Sequence, residues 1–267
     1  MSTEAADSQE LTDPQELTDS QELTVPQEPT EIRASTELPA RRENIELKTS
    51  DGLTLVGELA TPLNREPVAT IVALHPLPSG GGFMDSHILR KAAARLPALA
   101  GLAVLRFNFR GVSSPRGTSG GQFGDGVEER HDLAAAMEFV VQRGLPAPWL
   151  LGWSFGTEVA LRYGLRHPVV GAILLSPPLR RASDAELAAW AGSGKRLVAV
   201  IPGLDDYLRP EEAAKRFAVV PEAEFVAVDG GRHLWVGEQQ TRRVLTEIVA
   251  RTNPAALPLA TSWPPAD

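Results

Sequence analysis

Two serines stand in the pattern Gly-x-Ser-x-Gly, a spacing that can present a hydroxyl as a nucleophile at a sharp strand-to-helix turn. One is Ser154 in Gly152-Trp153-Ser154-Phe155-Gly156; the other is Ser119 in Gly117-Thr118-Ser119-Gly120-Gly121. A serine hydroxyl attacks a carbonyl carbon only when a base takes its proton, and the base works only when a third group orients it. The chain holds five histidines and no cysteine. Thiol catalysis, disulfides and cysteine metal sites are thereby excluded. The question is which serine, which histidine and which carboxylate.

Context separates the two serines. Ser119 lies in "SSPRGTSGGQFGDG", which no strand enters and which holds no side chain in a fixed place. Ser154 closes the apolar run "PWLLGWS" and opens a helix with no intervening loop. That junction demands a strained turn, with glycines on either side leaving room for neighbouring backbone. Among the histidines, His131 and His167 fall on a helix or at its end, His87 in a first helical turn, and His75 at a strand end. His233, in "DGGRHLWVG", follows the last strand, where a base is needed. The acid comes from "VIPGLDDYLRP", which carries both Asp205 and Asp206. One carboxylate suffices to hold an imidazole in its working tautomer. Asp206 is the favoured one, with Asp205 expected to cap or brace the loop.

The elements that must position these groups are read from periodicity. "ENIELKT" and "LTLVGELATP" form two strands joined at Asp51-Gly52. Apolar runs at 69–76, 102–111, 148–154, 170–178, 195–203 and 223–230 then alternate with helical patterns near 85–99, 127–143, 155–166, 184–191 and 238–251, with one more helix between the last two strands. Ser183 and Glu186 form a capping box. Such alternation predicts an α/β protein with a mostly parallel sheet covered on both faces and its chemistry at the carboxyl ends of the strands.

Residues 1–40 carry ten acidic and one basic side chain and repeat a hexad ("SQELTD", "PQELTD", "SQELTV", "PQEPTE"). This segment is read as a disordered acidic tail. The folded domain is expected at 41–252, with a flexible tail at 253–267. The rest is nearly balanced, with 24 acidic and 25 basic groups. No basic stripe suggests nucleic acid, no signal-peptide pattern appears, and no apolar run reaches the roughly 20 residues that span a bilayer. A cytoplasmic protein acting on a small molecule is the expectation. No Gly-Lys-Ser/Thr follows the glycines at 80–82, which excludes a phosphate loop. No metal or cofactor is implied.

Taken together, "GWSFG", "PGLDDYLRP" and "GGRHLW", with "HPLPSGGGFMDSH" and "LRFNFRGV", resemble an α/β-hydrolase over about residues 43–251. The likeness is to the lidless bacterial group near the dienelactone hydrolases and serine aminopeptidases. It implies a triad in the order Ser154, Asp206, His233, since the family's acid stands three residues after the loop glycine (Gly203) and four before a proline (Pro210). It implies an oxyanion hole from the backbone N–H groups of Phe155 and Leu77, because Pro76 has none. Ser113 and Ser114 replace the glycine usual after "RGV". Only about 17 residues separate Pro178 from the next strand, too few for a cap domain. The open site is expected to be bounded by loops 76–87, 112–126 and 204–209, with Trp153 and Trp235 as substrate contacts. The expected activity is hydrolysis of an ester, thioester or amide. An acyltransferase or carbon–carbon lyase on the same scaffold, or a non-catalytic scaffold protein, is the alternative.

Overall fold

A computed structural model describes residues 28–265. Most of the acidic hexad repeat lies outside the described residues. The hairpin at the start is formed by β1 (Arg41–Lys48) and β2 (Thr54–Thr61), turning where Gly52 adopts φ 89°. Six further strands follow: β3 (Ala69–Leu74), β4 (Leu102–Phe107), β5 (Pro148–Trp153), β6 (Gly171–Leu175), β7 (Arg196–Pro202) and β8 (Glu224–Val228). The helices between them are α1 (His87–Ala100), α2 (Glu129–Gln142), α3 (Phe155–Tyr163), α4 (Asp184–Ala188), α5 (Pro210–Phe217) and α6 (Glu238–Thr252).

All eight strands join one sheet in the order β1-β2-β4-β3-β5-β6-β7-β8. The pairs β1–β2 and β2–β4 are antiparallel; every other pair is parallel. The burial pattern explains the composition. Strands β3, β4 and β6 are buried at every residue, as continuous apolar runs require when helices cover both faces. Trp149, Leu151 and Trp153 of β5 pack against α1 and α6, whereas the alternate residue Leu150 faces the core shared with α2–α5. The capping box at α4 is formed as expected, Ser183 and Glu186 satisfying each other's backbone N–H groups.

The charged residues of "LRFNFRGV" tie the carboxyl edge of the sheet together. Arg106, buried, is paired with Glu58 and Asp85. Asn108 accepts from the Met84 N–H at 2.9 Å and donates to Ser114 Oγ at 2.9 Å. Arg110 forks onto buried Asp132 at 2.8 and 3.0 Å and reaches Asp51 in the β1–β2 turn at 2.9 Å. Phe107 and Phe109, between them, enter the core.

The folded segment extends beyond the expected limits of 41 and 252. Leu38 is buried and its N–H bonds the Ala94 carbonyl at 2.8 Å. Thr30–Glu31 pairs antiparallel with Ser262–Trp263, and Leu259 is buried. Two short segments with no recognisable period of their own are ordered as each supplies the other's hydrogen-bond partner. The chain at 28–40 is therefore not part of a disordered tail, and 253–265 is not a loose end.

Breaking a buried, hydrogen-bonded ion pair leaves one charge uncompensated. Asp132→Ala is expected to cost about 3–5 kcal/mol in urea unfolding, and a loss below about 1 kcal/mol would remove this network from the fold's determinants. The Arg110 guanidinium also holds the Asp51 carboxyl down at about 2, from 3.8. Its stabilising contribution is present at neutral pH and fades as pH falls through that range.

Candidate active site

The expected strand-to-helix turn is present at Ser154. The Ser154 N–H still bonds the Leu175 carbonyl at 2.9 Å, as a continuing strand would, while its backbone turns to φ 51°, ψ −114°. A non-glycine residue there stores strain of about 1–3 kcal/mol. The flanking glycines are obligatory. A Cβ on Gly156 would lie 2.0 Å from the Leu74 carbonyl oxygen, and one on Gly152 would lie 2.7 Å from the Gly156 backbone. Helix α3 thus starts against the end of β3, and the hydroxyl is left at the carboxyl edge of the sheet.

His233 Nε2 lies 2.8 Å from Ser154 Oγ. On the other side of the ring, Nδ1 lies 3.0 Å from Asp205 Oδ2 and 3.2 Å from Oδ1. The structure therefore joins Ser154 to His233 as expected but places Asp205, not Asp206, on the imidazole. Asp206 is exposed, whereas Asp205 is buried. Asp205 Oδ1 also accepts from the Tyr207 N–H at 2.7 Å and the Leu208 N–H at 3.3 Å. Bracing the loop and holding the histidine are one carboxylate's work, not a task divided between neighbours.

The loop carrying His233 is clamped through its carbonyls. Trp153 Nε1 and Ser176 Oγ each donate to the His233 carbonyl at 3.1 Å, and His87 Nε2 donates to that of Leu234 at 2.5 Å. This corrects the expected role of Trp153, which is buried under the histidine loop and holds it. Trp235 is wholly buried in the core against α6 and does not line the cavity over Ser154. Strand alternation decides the first: a side chain one residue before the turn points into the layer below.

Leu77 and Phe155 line the same cavity as Ser154. Neither N–H has a hydrogen-bond acceptor among the described residues. The loop is rigid rather than yielding: the Leu77 carbonyl accepts from Gly80 at 3.0 Å and Gly82 at 2.9 Å, and a Cβ on Gly82 would fall 2.2 Å from the Pro76 oxygen. His75 sets its direction. Burial lowers its pKa to about 4, which keeps the ring neutral at ordinary pH. Nε2 accepts from the Phe109 N–H at 3.0 Å, which leaves Nδ1–H to donate to the Pro76 carbonyl at 2.7 Å.

Ser119 is a structural brace. Its buried hydroxyl donates to the Asn108 carbonyl at 2.8 Å and accepts from the Val56 N–H at 3.0 Å. One trio is brought together in space from separate segments: Asp51, Glu128 and His131 hold their ligand atoms within 4.8 Å of one another. Asp51 already serves Arg110, and His131 Nδ1 lies 2.7 Å from Ser50 Oγ.

The cavity over Ser154 encloses about 190 Å³. Its walls come from 76–80, Phe155, 178–181, Tyr207 and the His233 loop. Residues 112–126 do not line it; they support Arg181 through Asp125 instead. Arg180 and Arg181 escaped the sequence reading, whereas Tyr207 lies in the expected loop 204–209. The one signal for the arginines was "SPPLRR", in the short segment that follows a strand's carboxyl end. A larger depression of about 480 Å³ lies at the amino edge of the parallel strands, between Arg41, Pro67 and Arg143, away from Ser154.

A serine and a carboxylate on opposite nitrogens of one histidine, at the carboxyl edge of a parallel sheet, define an arrangement suited to nucleophilic acyl chemistry. Comparison with known proteins agrees with the architecture. An α/β serine hydrolase homologue from Coxiella burnetii matches with TM-score 0.67 and 25% identity, over 78% of this chain and 96% of that one. A serine hydrolase without a lid from Xanthomonas campestris matches at 0.66 and 26%, over 80% and 96%. An esterase from Pyrococcus furiosus shares the fold at 0.63 and 22%, over 80% and 93%. The fold is that of the α/β-hydrolases without a cap domain, and the chain resembles the lidless serine hydrolases. An uncharacterized protein of Rickettsia prowazekii is 36% identical over 116 residues, 42% of this chain and 46% of that protein, so the chain matches less than half of its length. No family model matches the chain. No helix among the described residues is long and apolar enough to cross a membrane.

The choice between the two aspartates can be read without turnover. In proton NMR the His233 Nδ1 proton is expected well downfield in the intact protein. Asp205→Ala should abolish that resonance and Asp206→Ala should keep it. The opposite result would return the acid to Asp206.

Proposed function

We propose that the chain is a serine hydrolase that cleaves an ester, thioester or amide through an acyl-enzyme on Ser154. The observation that carries this reading is the hydrogen-bonded series Ser154 Oγ, His233 Nε2, Asp205 at a strained strand-to-helix turn. His233 takes the proton as Ser154 attacks the carbonyl carbon, and Asp205 stabilises the imidazolium that results. The N–H groups of Phe155 and Leu77 receive the developing oxyanion, each worth about 3–4 kcal/mol if it acts as a typical donor. His233 then protonates the leaving group and activates a water that releases the acid.

Esters are the preferred substrates in this reading, ahead of amides. The esterase name borne by the Pyrococcus furiosus structure supports that choice. So does the cavity's small volume of about 190 Å³, which suits a small acyl group.

A fluorophosphonate probe should form one covalent adduct, on Ser154. Ser154→Ala should abolish it and lower ester turnover by a factor of about 10⁴–10⁶. An adduct that persists in Ser154→Ala would defeat the assignment.

A further inference from the structure

The cavity over Ser154 carries charge that the hydrolytic reading does not use. Two arginines and no Asp or Glu contribute to its walls. Arg181 is paired with Asp125 and lies over the Phe155 ring. Arg180 forms no ion pair among the described residues; its guanidinium rests 4.6 Å over the ring of Tyr207. Tyr207 in turn lies 4.4 Å from the His233 ring.

This arginine is held in place from below. Glu158, fully buried on α3, accepts from the backbone N–H of Arg180 at 2.7 Å, Arg181 at 3.2 Å and Ala182 at 2.6 Å. Glu158 stands four residues after Ser154, about one helical turn along the helix that Ser154 opens. One rigid element therefore sets the serine and the segment bearing the free cation. A surface arginine with neither anchor would be unremarkable.

We propose that the substrate of this site is a short acyl ester bearing a carboxylate, and that Arg180 receives that carboxylate. The inference rests on the serine hydrolase reading and names the substrate class for it. A planar guanidinium matches a carboxylate fork to fork. The uncompensated charge is single, because Arg181 already has Asp125; a phosphate monoester, with its nearly two charges, would leave one unmet. The volume of about 190 Å³ admits a short chain between the scissile carbonyl and the acid group. The carboxylate forms and breaks no bond. It orients the ester while Ser154 is acylated and water completes hydrolysis.

The test compares two p-nitrophenyl esters of equal chain length, the adipate monoester and the hexanoate, which differ in the terminal carboxylate. The ratio of their kcat/KM values should favour the adipate. Arg180→Gln should lower that ratio about tenfold to a hundredfold, in line with loss of a charge-assisted contact. Arg180→Lys should keep part of the preference, and added salt should reduce it in the unaltered protein. Fluorophosphonate labelling of Ser154 in each variant checks that the site is intact. A ratio near one, a ratio unchanged in Arg180→Gln, or a labelled serine that hydrolyses neither ester would overturn the carboxylate proposal and leave the nucleophile standing. If Ser154 takes no label and neither ester is turned over above the Ser154→Ala background, the hydrolase reading fails and takes this one with it.

Discussion

Helix α3 meets the end of β3 with no space for a side chain between them, and much of the site's geometry depends on that contact. With only a hydrogen at Gly156, the first turn of the helix can lie against the Leu74 carbonyl. Gly152, two residues before the serine, accommodates the same helix from the strand side. Between the two, Ser154 has no regular conformation available and is held at φ 51°. The strain is maintained because β3, β5 and β6 are neighbours in one sheet, each buried along nearly its whole length. Relaxing the serine would require lifting a helix off that sheet.

The same contact also brings the second half of the site into place. Leu74 is the last residue of β3, and His75, Pro76 and Leu77 follow at once. Where α3 meets β3, Phe155 and Leu77 come to line one cavity. His75 then fixes the outgoing chain. A buried neutral imidazole is bonded at both nitrogens, to Phe109 on the next strand's extension and to the Pro76 carbonyl. A charged ring could not accept from Phe109, so its low pKa is part of the loop's geometry.

The architecture was legible in the sequence because it depends on local patterns. Continuous apolar runs marked the buried parallel strands, and a strand meeting a helix at a serine marked the turn. His233 was legible from its place after the last strand. What failed depends on contacts between distant segments. Asp205 and Asp206 are adjacent, and nothing local says which faces the histidine; a carboxylate has two oxygens and several lone pairs, so one residue both caps the 205–208 turn and holds His233. Trp153 looked like a pocket residue because it adjoins the serine, yet strand alternation turns it beneath the histidine loop. The segments 28–40 and 253–265 looked structureless because neither has an apolar period, and their order comes from pairing with each other and with α1.

Without a cap domain, the walls of such a site must be made from the few residues that follow each strand. Between β6 and β7 the chain has room only for the single turn and a half of α4. Discrimination among acyl groups then rests on how firmly those short segments are held. The segment after β6 would be loose if it were only tethered to its strand, because Pro177 and Pro178 have no N–H to anchor it. The buried carboxylate of Glu158 anchors it instead, accepting from the three consecutive amides at 180, 181 and 182. The buried acid is satisfied by those bonds, and the loop gains an anchor on the nucleophile's own helix. Rigid placement of a wall residue relative to Ser154 is thus achieved with a single helical turn and no inserted domain.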